Sequence, residues 1–231
     1  MMKNILLIGG SHGIGLEIAS KLSVKNHVYV ASRTIGGLSE TNITHIPFDA
    51  LSENLSDKPL PEEIHGFVYC PGSINIKPFK MLTEESFRNE MEINFFGLVK
   101  TVKSVIGNMV EGGSIVFLST VAVSTGMPFH TSISAAKGAI EGFARALAAE
   151  YAPKLRVNVI APSLVDTPLS ERLLNNDKKK EMMAQRHPLK KVGRVSDVAN
   201  AVLFLLDFEN SWITGQVIGV DGGISTLNMN S

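Results

Sequence analysis

The chain is poor in the residues that mark secreted or membrane-embedded proteins. Of 231 residues one is cysteine (Cys70), one is tryptophan and three are tyrosine. A lone cysteine excludes an internal disulfide framework and suits a reducing compartment, so a cytoplasmic location is expected. No apolar run approaches the ~20 residues of a membrane span. The first such run is broken at Gly9 and Gly10, too early for a signal peptide. Neither sign of charge is in excess: Lys plus Arg and Asp plus Glu are both 22. That balance removes the basic field expected of a nucleic-acid or anionic-lipid binder. The run Lys178, Lys179, Lys180 reads as a solvated helix face, and no metal site is expected.

What the chain does have is glycine in one telling place. In KNILLIGGSHGIGLEIAS (3–20) an apolar strand runs into Gly9, Gly10, Gly13 and Gly15 and leaves as a helix with Ile14, Ile18 and Leu22 at helical spacing. Glycines permit the tight turn and let backbone N–H groups approach a pyrophosphate, and the helix N-terminus supplies partial positive charge. A dinucleotide is the expected ligand. Strand-like runs recur at 5–8, 28–31, 43–48, 66–70, 114–118, 156–160 and 217–220. The strongest helical patterns lie at 84–109, 134–151 and 196–206. This alternation predicts an α/β fold: one Rossmann-type doubly wound parallel sheet of about seven strands, with helices on both faces. At 44% hydrophobic content, residues 1–231 suffice for a single domain. Between Asp49 and Gly66, Pro59 and Pro61 leave no convincing crossover helix, and the tail from Thr226 to Ser231 is expected to fray.

At the end of the second strand, where an acidic residue would hold a ribose 2′-hydroxyl, stands Ser32. Arg33 follows, and His12 lies inside the glycine loop with Ser11. Two potentially cationic groups without a competing carboxylate favour NADP(H) over NAD. Asp49 either accepts a hydrogen bond from an adenine amino group or caps a turn.

Six ordered segments, IGGSHGIG (8–15), EINFFG around Asn94, SIVFLST (114–120), SAAKGAIEGFARALAAE (134–150), RVNVIAPSLVDTP (156–168) and TGQVIGVDGG (214–223), resemble the short-chain dehydrogenase/reductase family over nearly the whole chain. By pattern they look most like its 3-oxoacyl-carrier-protein reductase branch. The resemblance implies a nicotinamide-dependent oxidoreductase. It sets Gly9, Gly13 and Gly15, with Ser11 and Ile14 between them, at the pyrophosphate, and Thr167, after Pro162, near the nicotinamide carboxamide. Two segments depart from it. Ile8 replaces the threonine of a Thr-Gly pair, and Tyr69, Cys70, Pro71, Gly72 replace Asn-Asn-Ala-Gly.

The same resemblance implies a catalytic tyrosine four residues before Lys137, and that position is Ile133, which holds no exchangeable proton. Lys137 is expected to anchor the ribose and lend charge. Thr120, with Ser119 beside it, occupies the position of the serine that polarises the substrate carbonyl, and Asn94 matches an asparagine that holds a water in the proton relay. His130, seven before Lys137, takes the place of the tyrosine of the family's enoyl-thioester reductases if the helix reaches back that far. An imidazole can protonate a developing oxyanion near neutral pH. Against this stands a solvent-exposed histidine at a helix start. Tyr69, ending the fourth strand, is either a donor near the nicotinamide or a packed aromatic. Two functions follow. One is an NADP-dependent reductase of a carbonyl or enoyl group, on a small-molecule or acyl-thioester substrate. The other is a family member that binds NADP without turnover, as a sensor or structural subunit. Residues 168–189 are expected to form a substrate lid, with Leu173, Leu174, Met182 and Met183 as apolar wall or ordinary packing. The long helices at 84–109 and 134–151 imply, through the family, a homotetramer.

Overall fold

In the computed structural model, which describes residues 2–228, the first apolar run becomes β1 (Lys3–Ile8), and the glycine loop turns it into α1 (Gly13–Ser23). Then come β2 (Asn26–Ser32), β3 (Ile43–Pro47), β4 (Ile64–Tyr69), β5 (Met109–Leu118), β6 (Leu155–Pro162) and β7 (Val217–Val220). The sheet order is β3-β2-β1-β4-β5-β6-β7, every neighbouring pair parallel, which is the Rossmann-type arrangement. Strand order reverses between β1 and β4. Their carboxyl ends therefore flank the crevice where ligands bind in open α/β sheets.

Parallel strands covered on both faces must be apolar on both, and the pleat divides the side chains between two layers. Leu6, Ile8, Phe67, Tyr69, Ile115 and Phe117 pack with residues of α3 (Gly97–Val105) and α5 (Thr131–Tyr151). Ile5, Leu7, Val68 and Val116, one residue out of phase, pack with α1 and α8 (Val195–Leu206). The link from β3 to β4 contains a single 3-10 turn, Leu55–Asp57, whose buried Leu55 closes the core without a crossover helix.

Boundaries differ from the sequence reading in two places. The helix expected over 84–109 is three pieces: α2 (Glu84–Met91), a π-helical turn over Glu92–Phe96, and α3, followed by a 3-10 turn. Apolar spacing remains helical on both sides of the π turn, so periodicity does not reveal it. Met109 belongs to β5, which starts early because Gly112, at φ +80°, admits a left-handed kink opposite a register shift between Ile64 and Gly66. The short α4 (Ala122–Thr125) follows β5, and α5 begins at Thr131, three residues before the expected start, with His130 as its N-cap.

Residues 168–189 fold as a 3-10 turn (Pro168–Ser170), α6 (Glu171–Leu174) and α7 (Asp177–Gln185), with a small core of Leu174, Ala184 and Val192. The three lysines sit on α7, Lys180 pairing with Asp166 at 2.5 Å. The Thr226 and Leu227 N–H groups donate to the Gly223 carbonyl, so the expected fraying does not reach them; residues 229–231 lie outside the described ones. Among the described residues no helix is long and apolar enough to cross a membrane.

Candidate active site

The glycine loop is built by exclusion of side chains. Gly9 and Gly13 hold φ of +76° and +54°, a region L residues rarely enter. At Gly15 a Cβ would lie 2.5 Å from the Gly9 carbonyl oxygen and 2.9 Å from the Gly10 Cα, so only glycine lets α1 start so close beneath the loop. His12 is the N-cap of α1, with Nδ1 3.0 Å from the Ser11 hydroxyl. The loop after β2 folds over it, the Gly37 N–H donating to the Ser11 carbonyl. Arg33, on that loop, is exposed and forms no ion pair among the described residues. Asp49 performs the capping role, its Oδ1 accepting from the Leu51 N–H at 3.0 Å. Thr167 faces Gly13, with 3.6 Å between its Cβ and a Cβ built there, and its Oγ1 caps the turn at Ser170.

A cavity of about 510 Å³ opens beside this cradle, at the carboxyl ends of β4, β5 and β6. Ile14, Gly72, Thr120, His130, Lys137, Pro162 and Thr167 all line it, so seven of the sequence candidates converge on one space, while Gly9, Ser11, His12, Gly13, Gly15, Arg33, Asp49 and Asn94 do not line it. Ile133 lines it too, 6% exposed, a hydrocarbon in the wall. Lys137 is 7% exposed, and its Nζ donates to the Leu118 carbonyl at 2.9 Å. Burial pulls its ammonium down to about 8, against the opposing fields of Glu90 and Cys70. Burial likewise pushes the Cys70 thiol up to about 12, so Cys70 stands in the wall as an inert thiol. The two hydroxyl residues after β5 both line the cavity but differ in their partners: Ser119 donates to the buried Glu141 at 2.7 Å, whereas Thr120 accepts from the Ala122 N–H.

Asn94 sits in the π turn, where the widened backbone turns its side chain inward. Its Nδ2 donates to the Ser73 hydroxyl and to Glu90 Oε2 at 2.9 and 3.0 Å. Its Oδ1, fully buried, has no partner among the described residues; a Cβ at Gly72 would lie 3.4 Å from that oxygen and from Lys137 Nζ. Glycine at 72 thus leaves a polar opening between them. Sequence reading missed Glu90, a carboxylate 3% exposed that accepts from Ser73 at 2.5 Å and faces Lys137. On its own helix it reads as one more polar residue of an amphipathic face.

Tyr69 is not a proton donor to this cavity. The pleat points its ring into the α3/α5 layer, where the hydroxyl donates to the Ile93 carbonyl at 2.8 Å and burial drives the phenol far above its ordinary range. His130 does line the cavity, but as the cap of α5 with φ −105° and ψ 13°, outside the helix. Its Nδ1 lies 2.7 Å from the Pro128 carbonyl oxygen and must donate to it. Also missed were Ser163 and His187, 24 residues apart in sequence, whose Oγ and Nε2 lie 2.9 Å apart in the cavity wall. No local pattern joins residues so distant.

Comparison with known proteins agrees with this geometry. A family model described as enoyl-(acyl carrier protein) reductase matches residues 48–225. Human 3-oxoacyl-(acyl-carrier-protein) reductase is similar at 32% identity over 243 residues, 98% of this chain and 100% of the relative. Ligand-free aldohexose dehydrogenase from Thermoplasma acidophilum superposes with a TM-score of 0.89 at 28% identity, over 100% of this chain and 96% of that one. ElxO with NADP bound shares the fold, at a TM-score of 0.87 and 24% identity over 98% and 100%.

Proposed function

We propose, because the chain belongs to the short-chain dehydrogenase/reductase family of oxidoreductases, that it is an NADP-dependent reductase of a carbonyl or enoyl group on a small or acyl-bearing substrate. The observation that carries this reading is the meeting of Ile14 from the glycine loop, Thr120 and buried Lys137 in one largely apolar cavity. A nicotinamide dinucleotide fits the cradle: Gly9 and Gly13 are left-handed, and no side chain is tolerated at Gly15. Gly9, Ser11, Gly13, Ile14 and Gly15 would hold its pyrophosphate, His12 and Arg33 a 2′-phosphate, and Pro162 and Thr167 the nicotinamide end. When bound, it supplies hydride.

The chain's own residues do the rest. Lys137 holds the ribose hydroxyls and, kept near its titration point by burial, places positive charge beside the reacting centre. Thr120 donates its hydroxyl to the substrate oxygen. Asn94, with its unpartnered Oδ1 beside Lys137, holds a water behind it. Ile133 holds no exchangeable proton, so the proton comes from another group of the cavity wall, of which His130 is the one the sequence nominates. The segment 168–189 closes over the substrate, offering Leu173 and Met183 to an acyl chain. That segment packs on Val192 and Leu164 through a small core separate from the two main layers.

Ile133 favours a second reading, a binder of NADP without turnover. The variant I133Y separates the two. On the reductase reading, wild-type protein oxidises NADPH with a 3-oxoacyl thioester, a diketone or an enoyl thioester, and I133Y raises carbonyl reduction by ~10²-fold, the usual contribution of a general acid. Consumption of NADPH by I133Y alone establishes the binder instead.

A further inference from the structure

Two cavities share a wall. Ser163 and His187 line the reaction cavity and also a smaller one of about 220 Å³, whose polar lining includes Lys191, Asp197 and Asp221. His187 is 4% exposed, and its Nδ1 lies 2.9 Å from the Met183 carbonyl oxygen. A carbonyl can only accept, so Nδ1 carries a hydrogen, and in the neutral ring Nε2 is bare. Ser163 therefore donates its hydroxyl to Nε2 across 2.9 Å. When the ring is charged the bond reverses: Nε2–H donates to Ser163, whose own hydrogen is then free to point into the reaction cavity.

We propose that Ser163 and His187 form a proton relay through this wall, from the smaller polar cavity to the substrate oxygen. The proposal rests on the reductase reading above. The carbonyl carbon receives hydride from the reduced nicotinamide dinucleotide, which ends oxidised, and the C=O π pair moves to oxygen. That oxygen takes the Ser163 hydrogen, Ser163 takes the Nε2 hydrogen, and the ring ends neutral. The next proton enters from the smaller cavity through Ser163, which opens on both sides. His130 is tied to a carbonyl in the same way but has no hydroxyl to carry its proton inward. Ile133 has no exchangeable proton, and Tyr69 faces the other layer.

Charged groups face the ring from the elements packed around it. Asp221 faces it from the turn after β7. Against the cost of burial, the Ser225 hydroxyl, the N–H groups of Gly223 and Ser225, and His187 itself hold that carboxyl below the usual carboxylate range. Lys191 and Asp197 face it across the smaller cavity but lie 3.8 Å from each other, and Arg194 adds a second partner to Asp197 at 3.6 Å. Arg186 and Lys190 flank it in the chain.

The test uses S163A and H187Q, each checked by thermal melting and NADPH titration, beside H130Q. Both relay variants are expected to bind NADPH as wild type does and to lose kcat by ~10²-fold. Wild-type kcat for reduction should fall as pH rises through the His187 titration seen by NMR, and that limb should vanish in H187Q. In cofactor-free protein, ¹⁵N spectra should show neutral His187 as the Nδ1–H tautomer, with a titration that moves in S163A. Wild-type turnover that survives in S163A and H187Q, loss confined to H130Q, or an Nε2–H tautomer overturns the relay alone. NADPH binding without turnover on any of the three substrate types overturns the reductase reading and the relay with it.

Discussion

K137M should lose activity without losing its fold. With the ammonium gone, the cavity floor has no cation to hold a ribose or to stabilise an oxyanion, and kcat/KM is expected to fall by at least ~10³-fold, between the usual bounds for a positioned charge and a general acid. Stability should move the other way. The folded state lowers Lys137 from 10.5 to about 8, so the unfolded chain binds the proton more tightly. The penalty is in full force below pH 8, shrinks as pH rises from 8 to 10.5, and is absent above. At pH 7 it amounts to about 3 kcal/mol, at 1.36 kcal/mol per unit. Urea melts at pH 7 and pH 10.5 test the sign: K137M should be the more stable at pH 7, with the gap narrowing at the higher pH. A K137M protein with wild-type kcat/KM would remove Lys137 from the chemistry.

The second large effect is expected at Gly15. In G15A the new methyl would sit 2.5 Å from the Gly9 carbonyl oxygen, a backbone atom that cannot swing aside as a side chain can. Either the loop or α1 must shift, at a cost of about 1–3 kcal/mol for overpacking, and the loop N–H groups leave the phosphate position. NADPH affinity should weaken by more than ~10²-fold, one misplaced set of charge-assisted hydrogen bonds being worth that much. A folded G15A protein that binds NADPH as wild type does would show that the cradle lies elsewhere.

Much of the scaffold was legible in sequence because the parallel sheet leaves a strong signature. Runs such as Ile5–Ile8 and Ile115–Leu118, apolar at every position, have no other use in a chain with little charge imbalance, and the glycines of 9–15 mark the turn at the sheet's edge. The missing crossover between β3 and β4 was legible from Pro59 and Pro61. What escaped was set by features without periodicity. The π turn that aims Asn94 adds its extra residue without disturbing the apolar spacing. His130 lay one residue outside a helix whose start shows no side-chain cap bond. Tyr69 reads in sequence as either donor or packed aromatic, although its parity with Phe67 carries the signal that puts it in the α3/α5 layer, on the other face from Val68. Ser163 and His187 meet only through the folded path of the lid, and Glu90 is recognisable only once its burial beside Ser73 and Asn94 is seen.

Titration calorimetry with NADPH and NADH, under identical conditions, is the most direct test of a phosphate cradle that reads the 2′-phosphate through His12 and Arg33. Saturable heat with NADPH at micromolar concentration, and binding at least ~10-fold weaker for NADH, a difference of ~1.4 kcal/mol, is the predicted result. Equal affinity for the two would contradict the assignment of Arg33, and no heat from either at millimolar concentration would contradict the site itself.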